Sequence, residues 1–148
     1  MKSVFDEVTR NELLERIKLL DENSKAQWGK MNVYQMLKHC NLCEEMYLGK
    51  KKYKRAFLGR LFGKLGLNSL LKDEKPIKPN SPTSGDFIVK ESTGNVLLEK
   101  DKWIGQLKEY ADFKGESIDH WFFGKMTKDQ VGQFVYKHTD HHLRQFNV

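Results

Sequence analysis

His138 and His142 stand four residues apart in a stretch that reads as helix, and on a helix that spacing stacks two side chains on one face. Their ring nitrogens can then converge on one ion. His39, in a second helical stretch, falls beside an apolar stripe in line with Met36 and Cys43 and offers a third imidazole nitrogen. Three neutral imidazoles suit one divalent ion, nickel, zinc or ferrous iron, and three protein ligands leave a coordination position open for chemistry. An H-x-x-x-H pair alone is a weak motif. The weight comes from finding all three histidines on inner faces, where an imidazole loses hydration and must find a partner. The bland alternative is three separate core histidines, each with its own hydrogen bond.

Around this trio the sequence offers supporting groups but no firm general base. Gln35, one turn before His39, and Gln145, three residues after His142, are placed to orient a ligand or a water. Asp140 and His141 read as solvent-facing, and Glu44 and Glu45 as surface charge. Cys43 lies one turn beyond His39 and competes as a ligand, yet Cys40 and Cys43 both fall mid-helix, away from the helix N-terminus that activates a Cys-x-x-Cys pair. Buried, reduced, inert thiols are the expected reading. His120, in Asp119-His120-Trp121-Phe122-Phe123-Gly124, is a secondary candidate for contacting substrate or water, with backbone bonding as its structural alternative.

Four long helical patterns must position these residues. The first opens at Thr9, where Thr9-Arg10-Asn11-Glu12 has capping-box spacing, and carries Leu13, Leu14, Ile17 and Leu20. The second runs from an Asn32 cap to Leu48 and stops at Gly49. The third follows Gly94-Asn95 and reaches about Phe113, and the fourth runs from the Thr127 cap to about Phe146. Between the second and third, residues 49–93 read as a long irregular crossing with Pro76, Pro79 and Pro82. Within it, Arg55 to Leu71 reads as a short helix broken by Gly59, Gly63 and Gly66 and lying on the bundle, with amphipathic membrane contact as the alternative. The expected fold is therefore an all-α four-helix bundle in one domain, residues 1–148, with the long crossing joining its second and third helices.

Composition narrows the function classes. At 148 residues, with 39% apolar residues and 11% aromatic, the chain can bury a core without disulfides or a structural metal. No apolar run approaches the roughly 18 residues of a membrane span, and the early acidic residues Asp6 and Glu7 do not suit a signal peptide, so a cytoplasmic location is expected. The formal charge is +6, part of it in Lys50-Lys51-Lys52-Tyr53-Lys54-Arg55. Without zinc-finger spacing or an RNA-recognition signature, that run reads as a solvated linker, and no nucleic-acid partner is expected.

Met36-Leu37-Lys38-His39-Cys40, His120-Trp121-Phe122-Phe123-Gly124-Lys125-Met126-Thr127 and the closing His138-Thr139-Asp140-His141-His142-Leu143-Arg144-Gln145-Phe146 resemble the DinB/YfiT superfamily of metal enzymes, in its branch of short bacterial proteins of unknown function. The resemblance implies an up-down-down-up helix order and one divalent ion held by His39, His138 and His142. It also implies transfer of a low-molecular-weight thiol, such as bacillithiol, to an electrophilic small-molecule substrate, with metal-dependent hydrolysis or non-catalytic binding as rival readings. Dimers are common in that superfamily, so a homodimer is a further expectation.

Overall fold

A short polar side chain caps the first helix, as it does three of those that follow. In the computed structural model, which describes residues 1–148, α1 (Glu7–Lys18) starts at Asp6, whose carboxylate accepts from the Thr9 amide at 2.7 Å. The chain therefore enters this helix before Thr9, inside which the Thr9-to-Glu12 spacing falls. α2 (Val33–Tyr47) begins with a reciprocal Asn32–Gln35 capping box and ends before Gly49, whose φ of 73° is the left-handed conformation glycine adopts without strain. After α3 (Phe57–Leu70) comes α4 (Val96–Lys108), capped by Asn95 and prolonged by a 3-10 turn at Glu109–Asp112. α5 (Lys128–Gln145) opens with the Thr127–Gln130 capping box.

Two features overturn the expected all-α four-helix bundle. The crossing between α2 and α4 contains α3, a fifth helix, unbroken through its three glycines. An antiparallel hairpin, β1 (Ser117–His120) and β2 (Gly124–Thr127), precedes α5, pairing Ile118 with Met126 and His120 with Gly124. The hairpin forms because Ile118, His120, Gly124 and Met126 alternate inward along its strands, the period of a half-buried sheet. α3 stays whole because its glycines let the helix lie against the turn of that hairpin: a Cβ at Gly59 or Gly63 would run into the Phe122 carbonyl. Tertiary packing here outweighs the local glycine penalty.

α1, α2, α4 and α5 enclose one contiguous apolar core, with α2 against α4 and α5, and α1 against α4 and α5. Its fully buried centre includes Ile17, Met36, Leu37, Trp103, Leu107 and Val135. α3 contributes only Leu67 to this core and otherwise sits on β2. The fold thus fixes α2 beside α5, which decides where the histidines lie.

Candidate metal centre

His39 on α2 meets His138 and His142 on α5. One ring nitrogen from each lies within 4.8 Å of the others, and ring centroids are 4.9 Å apart for His39 and His142 and 4.7 Å for His138 and His142. Small ring rotations close that spacing to the roughly 3–4 Å between nitrogens bound to one ion at about 2.0–2.1 Å. His39 and His142 are buried, and His138 keeps part of its surface.

The hydrogen bonds around the trio define which nitrogens are free. His39 Nδ1 lies 2.9 Å from the Phe87 carbonyl, and His142 Nδ1 lies 2.9 Å from Gln145 Oε1. Both partners only accept, so each Nδ1 carries the proton and each Nε2 holds a lone pair. Gln145 is itself held, its Nε2 donating to the Trp28 carbonyl at 2.9 Å. His138 Nδ1 is buried without a partner. A carbonyl or carboxamide behind a ligating imidazole is the arrangement that sets its tautomer and aim at a metal. The donor set therefore fits a divalent ion, and the incomplete bonding of His138 leaves room for one.

Burial pushes His138 and His142 well below the ordinary imidazole range, reinforced by the neighbouring rings. It also lowers His39, against the opposing pull of the Phe87 carbonyl. All three are thus neutral, the form that ligates. Cys43 Sγ sits 3.7 Å from His39 Nε2, but burial raises its thiol far above the usual range, so it is a neutral neighbour. Cys40 is likewise buried and free, its Sγ directed at Met36 Sδ.

The other sequence candidates take different places. Gln35 spends its Oε1 on the Asn32 amide and its Nε2 on the Val89 carbonyl, so it pins the 87–89 strand of chain behind His39 rather than facing the ring trio. His120 accepts from the Phe122 and Phe123 amides at Nδ1, 3.1 and 3.2 Å away, which closes the hairpin turn. Burial, helped by the Arg55 charge, takes its pKa down to about 3. Tyr47 and Phe134 each pack against both His120 and His138, one aromatic layer between the turn and the trio.

Three acidic or basic groups expected at the surface are inside. Asp140 is buried and held by Arg16 at 2.8 Å and Arg144 at 2.7 Å. His141 is buried against Trp28 and bonded to the Ile77 carbonyl. Glu44 is fully buried between α2 and α4, where the Tyr110 hydroxyl donates to it, whereas Glu45 pairs with Lys102 near the surface. The sequence hid these because each has a partner 64 to 124 residues away, only Asp140 having a local one as well, in Arg144. Phe87, whose backbone carbonyl orients His39, carries no sequence signal for that role.

Two surface clefts, of about 430 and 480 Å³, include none of the three histidines. No curated protein and no solved structure matches the chain. A family of proteins of unknown function, DUF1569, matches residues 5–148, and this chain belongs to it.

Proposed function

We propose that His39, His138 and His142 hold one divalent ion, nickel, zinc or ferrous iron, and that the chain is a metal-dependent enzyme related to the DinB/YfiT superfamily. The reading rests on one observation: three neutral imidazoles converge, two with their Nδ1 protons already committed to oxygen acceptors. The ion would supply Lewis acidity at an open position, favouring the thiolate of a low-molecular-weight thiol such as bacillithiol.

The protein's own part is positional. Phe87 and Gln145 aim two of the rings, and Tyr47 and Phe134 pack beside the third and limit water on that side. In the transfer the thiol releases its proton to solvent. Its sulfur forms a bond to an electrophilic carbon, and the leaving group departs with the electron pair of the bond that breaks. A divalent ion also lowers the pKa of bound water to about 7, so hydrolysis with the same three ligands is the rival reading.

Elemental analysis of the native protein beside His39→Ala, His138→Ala and His142→Ala variants tests the site. About one ion per chain, lost in all three variants with helicity retained by circular dichroism, is expected. Unchanged metal in folded variants sinks the proposal. Adding thiols to the nickel-loaded protein then separates the rival readings. A sulfur-to-metal charge-transfer band supports transfer; an unaltered spectrum leaves hydrolysis or non-catalytic binding.

A further inference from the structure

α3 is amphipathic with its apolar side turned outward. Its inner side is Gly59, Gly63 and Leu67, seated on the hairpin turn, while Phe57, Leu58, Leu61, Phe62 and Leu65 are 55 to 72% exposed. Those five are nearly half of the eleven exposed large apolar side chains in the molecule, gathered on one helix of 14 residues. The outward aim is fixed at both ends. The Ala56 amide donates to the Trp121 carbonyl at 2.9 Å, and Lys137 Nζ to the Leu70 carbonyl at 2.6 Å. A patch of this kind on a folded protein marks something that covers it.

Charge says what the cover is. Residues 50–78 contain ten Lys and Arg against Asp73 and Glu74, a formal +8 where the whole chain carries +6, so the rest of the molecule is net negative. Arg60 lines one flank of the apolar face, where a long cationic stem lifts its charge to the level of lipid headgroups, while Lys64 beside it donates to the Lys125 carbonyl at 2.9 Å. Beside the C-terminal end of α3 lies the cleft of about 480 Å³, whose wall adds Lys72, Lys75 and Lys78 to the basic side, with Asp73 the one carboxylate there and Lys137 bonded to the Leu70 and Asp73 carbonyls. A two-fold dimer through α3 would set this same basic segment against itself. An anionic surface would neutralise it. At about 1.5 Å per residue the helix is also too short to cross a bilayer, and no helix of the protein is long and apolar enough to do so.

We propose that α3 and its flanking lysines dock the protein flat on an anionic lipid surface, with the five apolar side chains entering the headgroup boundary. This is independent of the histidine site. Co-sedimentation of the full chain with phosphatidylglycerol–phosphatidylcholine vesicles, against phosphatidylcholine alone, tests it. Binding is expected only to the anionic vesicles, weakening as salt is raised and lost in Leu61→Asp/Leu65→Asp, whose exposed positions spare the core. Lys51→Ala/Lys52→Ala, outside the helix, should weaken binding about fivefold for each lysine removed. Absence of binding, equal binding to both vesicles, or indifference to both double variants overturns the proposal. So does a dimer by light scattering that Leu61→Asp/Leu65→Asp dissolves without vesicle binding, which would assign the face to a second copy.

Discussion

α2 buries polar groups on two sides, and the two sides solve the problem differently. Toward α5 it presents His39 to two more imidazoles, so ring nitrogens of one kind converge. Toward α4 it presents Asn41 and Glu44 to a mixed set: Asn41 donates to the Glu99 carbonyl and carboxylate, Gln106 donates to the Asn41 carbonyl, and Tyr110 donates to Glu44. On the α4 side protein donors meet protein acceptors, although Asn41 Oδ1, Glu44 Oε1 and Gln106 Oε1 stay without a partner; the imidazole trio has only the Cys43 thiol beside it, 3.7 Å from His39 Nε2. Under the proposed function the first side holds a cation, whereas the second is governed by the protonation state of Glu44.

That contrast is sharpest at Glu44. Burial raises its pKa to about 7, opposed by the Tyr110 hydroxyl and the Trp103 indole, with Glu109 adding to the rise. Cys40, Cys43 and Tyr47 share its helix and are neutral at this pH, their own pKa values raised by the same burial. As pH climbs above the ordinary 4.5, the unfolded chain loses this proton while the folded chain keeps it to about 7. The contribution to stability is thus whole below about 4.5 and lost by the time the folded group ionises, a decline of about 3 kcal/mol. Glu44→Gln cannot ionise. The buried histidines, lowered by burial, raise the stability of both proteins over the same range, so urea denaturation reads the difference: native minus Glu44→Gln should fall by about 3 kcal/mol, and parallel curves would mean that Glu44 is charged in the fold.

Much of this arrangement was legible in the sequence, and the rest was not, for identifiable reasons. The caps Asn32, Asn95 and Thr127 act within three residues of themselves, so the starts of α2, α4 and α5 follow from local pattern. The spacing of His138 and His142 is equally local. The hairpin escaped because its strands are only four residues long, and the helix expected over Arg55 to Leu71 reads as broken because its glycines look like breaks until Phe122 is set against them. Glu44 reads as surface charge because Tyr110 lies 66 residues away, and one helix does not reveal its neighbour.

On the α5 side, Gln145→Ala removes the acceptor behind His142 and leaves that ring free to turn. Such a loss behind a ligand costs about 10–100-fold in metal affinity, or about 1.4–2.7 kcal/mol. Chelator competition on the zinc-loaded protein reads it directly. Unaltered affinity would show that His142 is aimed by packing alone and that the Gln145 contact is incidental.

Gln35 supplies the finest division between the two kinds of buried polarity. Its side chain closes the α2 capping box and holds the Val89 carbonyl, two residues beyond the Phe87 carbonyl that aims His39. A capping residue acts on the helix, so Gln35→Ala should cost about 1 kcal/mol of stability, roughly 3 °C in Tm, read by calorimetry. Its effect on metal affinity should be smaller than that of Gln145→Ala, because the segment behind His39 is also held by Phe87, whose ring is buried against Tyr53. An affinity loss equal to that of Gln145→Ala would move Gln35 from the helix cap to the support of the ion, and would make the His39 carbonyl partner depend on a single side-chain bond.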